Sequence, residues 1–129
     1  MWPLNRLHRA PTLFGTGPVL PVDDLARTAT FYQDKLGFKL DFLMDDPPTH
    51  GSVTRCRVGI QFTTAPAGYD PRTYPGWIYI FVENIDALHT EFTGSGVAIT
   101  QTLASRDHGM REFEIEDLNG YRLRFGQYC

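Results

Sequence analysis

The chain has 129 residues, a length suited to one core and too short for two large independent domains. Apolar residues make up 42% and charged residues 21%, which excludes a disordered or disulfide-framework chain. The net charge of −3 and the scattered Lys and Arg argue against nucleic acid as a partner.

The opening residues Met1 to Arg9 carry basic side chains but no apolar run of signal-peptide length, so residues 1–13 read as a tail. No stretch reads as a membrane span. A strand is expected at Val19–Val22. After it Asp23 or Asp24 caps a helix in which Leu25, Ala29, Tyr32 and Leu36 recur at helical spacing until Gly37.

Strands follow at Phe38–Leu43, Gly51–Val58 and Gly59–Thr64. The Pro- and Gly-rich residues 66–76 read as a linker. A strand at Trp77–Val82 leads to a second helix, with Asn84 or Asp86 as its cap, Ile85, Leu88, His89 and Phe92 at helical spacing, and Gly94 and Gly96 at its end. Strands at Val97–Leu103, Arg111–Ile115 and Arg122–Gly126 complete the chain, the last two joined by an Asn119-Gly120 turn.

Val22, Asp24 and Leu25 are matched by Val82, Asn84 and Ile85, and Gly37-Phe38 by Gly96-Val97. Each half therefore runs strand, helix and three strands, the mark of a duplicated unit. The expected fold is α+β, two βαβββ modules at residues 14–65 and 77–127 within one structural domain, with mixed sheets curved around a cavity.

Neighbouring residues of a strand face opposite ways. Ile78, Ile80 and Val82 suit packing under a helix, which sends Trp77, Tyr79 and Phe81 to the other face. Three rings there could pack another sheet or form a platform for a flat or cationic ligand. In the last strand Leu123 and Phe125 belong to the core, so Arg122 and Arg124 share the other face. Phe113 and Ile115 likewise turn Glu112, Glu114 and Glu116 outward, and an Arg–Glu ladder becomes available.

Catalytic signatures are sparse. His8 lies in the tail, His50 and His108 in loops and His89 on a helix, with no pair at ligand spacing; His108 is the candidate base. No nucleophile elbow, Walker loop or dinucleotide fingerprint occurs. Cys56 and Cys129 have no CxxC spacing and read as free thiols in a reducing, cytoplasmic compartment.

Several stretches together resemble the glyoxalase, bleomycin-resistance and extradiol dioxygenase superfamily: Pro18 to Leu25, Phe31-Tyr32, Leu36-Gly37-Phe38, Val82 to Asp86 and Asp117 to Gly120. The superfamily's metal ligands would fall at Gly17, Gln61, Trp77 and Arg124, so the resemblance implies a branch without metal or other cofactor. Pro18-Val19-Leu20, Asp34 to Phe38, Asp41-Phe42 with Asp45-Asp46, and Arg111-Glu112-Phe113 are similar to the bleomycin-resistance branch in particular.

That branch implies a homodimer sequestering a drug in grooves between subunits, with exchange of an N-terminal strand around a proline such as Pro18. Of its aromatic clamp Phe42 is kept, while Pro47 and His108 stand where rings would be expected. The expected ligand site comprises Phe42, Gln61, Phe62, Trp77, Tyr79, Phe81, His108, Glu112, Arg122 and Arg124, and takes an antibiotic or an aromatic or cationic metabolite. The alternatives are an enzyme of the same fold, with an unrecognised metal site or with His108 and Arg124 acting on an anionic substrate, and a regulatory module with a vestigial pocket.

Overall fold

The structure, a computed structural model, describes residues 10–129. His8 and most of the expected tail therefore lie outside the described residues. Eight strands and two α-helices follow the expected order. The first module comprises β1 (Val19–Val22), α1 (Leu25–Asp34), β2 (Lys39–Met44), β3 (His50–Arg55) and β4 (Val58–Thr64). The second comprises β5 (Ile78–Phe81), α2 (Ile85–Gly94), β6 (Ile99–Ser105), β7 (Met110–Glu116) and β8 (Arg122–Tyr128).

Each module makes its own four-stranded mixed sheet, in the orders β1-β4-β3-β2 and β5-β8-β7-β6. In both, the strand before the helix pairs parallel with the last strand, and the remaining pairs are antiparallel. One helix covers one face of each sheet: α1 packs on β2, β3 and β4, and α2 on β6, β7 and β8. The opposite faces carry no helix among the described residues.

Helix α1 starts as its sequence predicts, with the Asp24 carboxylate accepting from the Arg27 N–H at 3.0 Å. Helix α2 starts differently. Asn84 sits at φ 58° and makes no side-chain cap, and Asp86 instead pairs with Arg111 at 2.7 Å. The Ile85 N–H donates to the Gln127 side-chain oxygen at 2.8 Å, so a β8 residue from far along the chain supplies the missing acceptor.

The turn between β3 and β4 also departs from expectation. It sits at Cys56, in the left-handed region at φ 53°, rather than at Val58-Gly59. Gly59 lies within β4 opposite Thr54, and Val58 lies opposite Arg55. Glycine content alone places a turn at Gly59, but side-chain alternation across the pair requires it at Cys56-Arg57. The 66–76 segment also holds a short 3-10 turn at Pro71–Thr73, begun by Asp70 and anchored by the buried Pro71.

A single apolar core runs beneath both helices and includes Leu20, Tyr32, Leu36, Val53, Ile60 and Phe62 from the first module and Ile80, Phe92, Phe113, Leu123 and Phe125 from the second. Polar ties cross between the modules. The Tyr32 hydroxyl donates to Asp117 at 2.7 Å, Asn119 Nδ2 donates to Thr28 at 3.1 Å, and Arg55 pairs with Glu91 at 2.7 Å. Asp117 also accepts from the N–H groups of Asn119, Gly120 and Tyr121. Burial nonetheless raises the Asp117 carboxyl, against the pull of those hydrogen bonds, and burial followed by the nearby Asp117 charge raises the Tyr32 hydroxyl.

Candidate functional site

The helix-free face of the second sheet is built by alternation along β5, β7 and β8. Tyr79 stands beside Arg124, Arg124 beside Glu114, and Glu114 beside Gln101, forming one cross-strand row. Phe81, Gly126, Glu112 and Ala104 form the next row. Trp77, just before β5, lies against the first row: the Arg124 guanidinium carbon is 3.9 Å from its ring centroid and that of Arg122 5.7 Å.

The expected Arg–Glu ladder is present in part. Arg124 Nε donates to Glu114 at 2.9 Å, and Thr100 Oγ1 donates to the other Glu114 oxygen at 2.9 Å. Arg122 stands opposite Glu116 in register but donates instead to the Gly76 carbonyl at 3.0 Å. Glu112 is 3% exposed and is held by two donors, the Tyr79 hydroxyl at 2.8 Å and His108 Nε2 at 3.2 Å. Burial works to raise the Glu112 carboxyl, but those two hydrogen bonds, with the nearby charges of His108 and Arg124, hold the group below its usual value. Burial, then the bond to Glu112, pushes the Tyr79 hydroxyl up to about 12.

Tyr79 reaches Glu112 only because residue 126 is glycine: a Cβ there would sit 1.9 Å from the Tyr79 hydroxyl. Gly126 is therefore a site residue that the sequence reading treated as the end of a strand. Tyr128 is a second. Its ring stacks on Phe81 with centroids 5.6 Å apart and planes at 10°, and it is 74% exposed. Continuing the alternation Arg122, Arg124, Gly126, Tyr128 would have placed it on this face.

On the first sheet, Val19, Gln61, Ser52 and Phe42 form a row on the helix-free face. A bulge between Leu40 and Phe42 lets Leu40 join the core while Phe42 faces outward. Asp41 accepts from Ser52 Oγ at 2.9 Å and from Thr54 Oγ1. Phe62 is a correction: it is fully buried on the helix side, 5.0 Å from the Tyr32 ring, and cannot wall a site with Phe42 or Gln61. Strand alternation decides this, since Gln61 and Phe62 are neighbours and only one can face outward.

Two cavities lie elsewhere on the molecule. One of about 560 Å³ is lined by Asp23, Asp24, Asp70, Arg72 and Glu116, and one of about 700 Å³ by Phe38, Val58, Val82, Leu88 and Phe92. Neither is lined by Trp77 or Arg124, although the second reaches Phe81 and Tyr128. No helix among the described residues is long and apolar enough to cross a membrane.

The family model described as Glyoxalase/Bleomycin resistance protein/Dioxygenase superfamily matches residues 15–125. The chain belongs to this superfamily. Solved structures share its fold. A bleomycin-binding protein complexed with bleomycin aligns at 22% identity and a TM-score of 0.75, over 91% of this chain and 100% of that one. TnmS3, an antibiotic binding protein from Streptomyces sp. CB03234, aligns at 16% identity and a TM-score of 0.76, over 94% and 100%. TioX from Micromonospora sp. ML1 aligns at 20% identity and a TM-score of 0.72, over 89% and 100%. No curated protein matches the chain.

The resemblance puts the ligand positions at Gly17, Gln61, Trp77 and Arg124, and in the structure Gly17 lies near Gln61 and Trp77 near Arg124. A Cβ on Gly17 would lie 3.9 Å from Gln61 Nε2, and Arg124 lies on Trp77. The side chains present do not fit a metal. They offer no donor at Gly17, a neutral amide at Gln61, an indole at Trp77 and a cation at Arg124. Among the described residues no group of three or more His, Cys, Asp or Glu converges anywhere.

Proposed function

We propose that this chain is a metal-free binding protein of the bleomycin-resistance type, which sequesters a planar aromatic antibiotic or metabolite in a groove completed by a second copy. The observation that carries this reading is the helix-free face of the second sheet. Trp77, Phe81 and Tyr128 are 42%, 62% and 74% exposed there, although the other side of the same sheet already holds a complete core. Exposed rings clustered on one face are unfavourable in water unless something covers them.

Phe42, 41% exposed on the first sheet, supplies an opposing ring when two copies face each other. The bleomycin-binding and antibiotic-binding structures support the reading through their common fold. Two exposed, unpaired cysteines suit a cytoplasmic setting.

Titration calorimetry with bleomycin and with a flat polyaromatic antibiotic tests the reading. Saturable heat is expected, and it is lost in Trp77→Ala; a flat trace at high micromolar ligand removes the drug assignment. Light scattering at the same concentrations is expected to give twice the chain mass.

One contact favours a second reading, an enzyme using acid–base chemistry. Glu112 orients His108, whose ring is more than half exposed and free to exchange a proton with a substrate. Turnover of an anionic substrate that disappears in His108→Gln would establish it. Stoichiometric metal in protein purified without chelator would overturn the metal-free assignment.

A further inference from the structure

We infer that the ligand carries an oxyanion, a carboxylate or phosphate on its planar frame, received by Arg122 and Arg124. The inference rests on the aromatic-binding reading and adds the charge of what is bound. It follows from which groups of the second sheet's helix-free face remain unpaired.

The buried carboxylates there already hold donors. Both oxygens of Glu114 accept, from Arg124 and Thr100, and one oxygen of Glu112 accepts from both Tyr79 and His108. The remaining capacity lies with the arginines. Arg124 donates only through Nε, and its two Nη groups have no protein partner among the described residues. Arg122 donates through one Nη2 hydrogen to Gly76 and forms no ion pair among the described residues. The Glu116 carboxylate opposite it in register is exposed and makes no ion pair with it. The leftover buried acceptor of the row, Gln101 Oε1, is neutral and does not select a cation.

The aromatic platform leads to the same sign. Arg124 lies over the Trp77 face that a cationic ligand would use, so the protein's own guanidinium has taken that cation–π position. A second cation would meet repulsion from Arg124 and from Arg122. A planar anion can stack on the outer guanidinium face while its oxygens accept from the free Nη groups of two residues on alternate positions of one strand.

Four probes of one size separate the charges: 2-naphthoate, 2-naphthyl phosphate, neutral 2-naphthamide and the 2-naphthylmethylammonium cation, titrated calorimetrically into the full chain. At least one anion is expected to bind about tenfold or more tighter than the amide, with the cation weakest. The preference should shrink as salt is raised, vanish in Arg122→Gln, and be intermediate in Arg122→Lys, which keeps charge without the fork. The salt series on the unaltered protein decides the matter if either variant fails to fold.

Equal binding of all four, or tighter binding of the cation, overturns the inference and leaves the aromatic reading standing. Absence of binding by every probe at millimolar concentration overturns both.

Discussion

The helix-free face of the first sheet carries Gln61, Ser52, Thr54 and Thr63 around a single exposed ring, Phe42, whereas that of the second carries Trp77, Tyr79, Phe81 and Tyr128 with two arginines and two buried glutamates. Under the helices the same two sheets are alike, with Leu20, Ile60 and Phe62 in the first answered by Ile80, Leu123 and Phe125 in the second. Duplication has kept the side that must fill a core and let the other diverge. Packing is unforgiving of volume changes, while an open face tolerates polar or aromatic substitution until a ligand constrains it.

Alanine at Phe62 and at Phe113 should destabilise the two modules about equally, by about 3–5 kcal/mol each, measured by denaturant unfolding. A mild effect at Phe62 would return that residue to the open face and undo the comparison.

Gly126→Ala is expected to come next, at about 1–3 kcal/mol, because its methyl displaces Tyr79 and leaves Glu112 short of a donor. Near-ultraviolet circular dichroism should report the displaced ring. Thr63→Ala, on the open face of the first sheet, should stay within about 0.5 kcal/mol.

The pH dependence sharpens the contrast further. The folded state holds the Glu112 carboxyl below its ordinary 4.5, so its contribution to stability is present above that value and lost as pH falls through the lowered one. Subtracting the Glu112→Gln stability curve from that of the unaltered protein should isolate this acid limb and leave no difference in slope near neutrality. A difference that persists at neutral pH would assign the effect to another group.

An effect on stability as small as that of Thr63→Ala is expected from Phe81→Ala. Its ring is 62% exposed, so unfolding should move by no more than about 0.5 kcal/mol while aromatic binding weakens. Stability loss without loss of binding would make the stacked Phe81–Tyr128 pair a structural element and remove it from the site.

Much of the site was legible because strand alternation is a local rule. It put Trp77, Tyr79, Phe81, Arg122, Arg124, Glu112 and Glu114 on one face from their spacing alone. It failed where apolar character was taken for pocket lining, since Phe62 is as apolar as Phe42 and only its β4 register turns it inward. Gly126 and Tyr128 escaped because a glycine in a strand looks like an end, and its purpose, making room for Tyr79, lies on a different strand.

By itself the sequence determined the order of elements, the duplication, an aspartate cap at Asp23 or Asp24 and the apolar stripes of both helices, because these depend on neighbours within a few residues. Tertiary structure alone decided that Gln127 caps α2, that Arg124 lies over the Trp77 ring, and that Glu112 and Glu114 are buried and hydrogen-bonded. Each of these joins residues on different strands or across a helix and a strand, where register and burial set the partner and no local pattern records it.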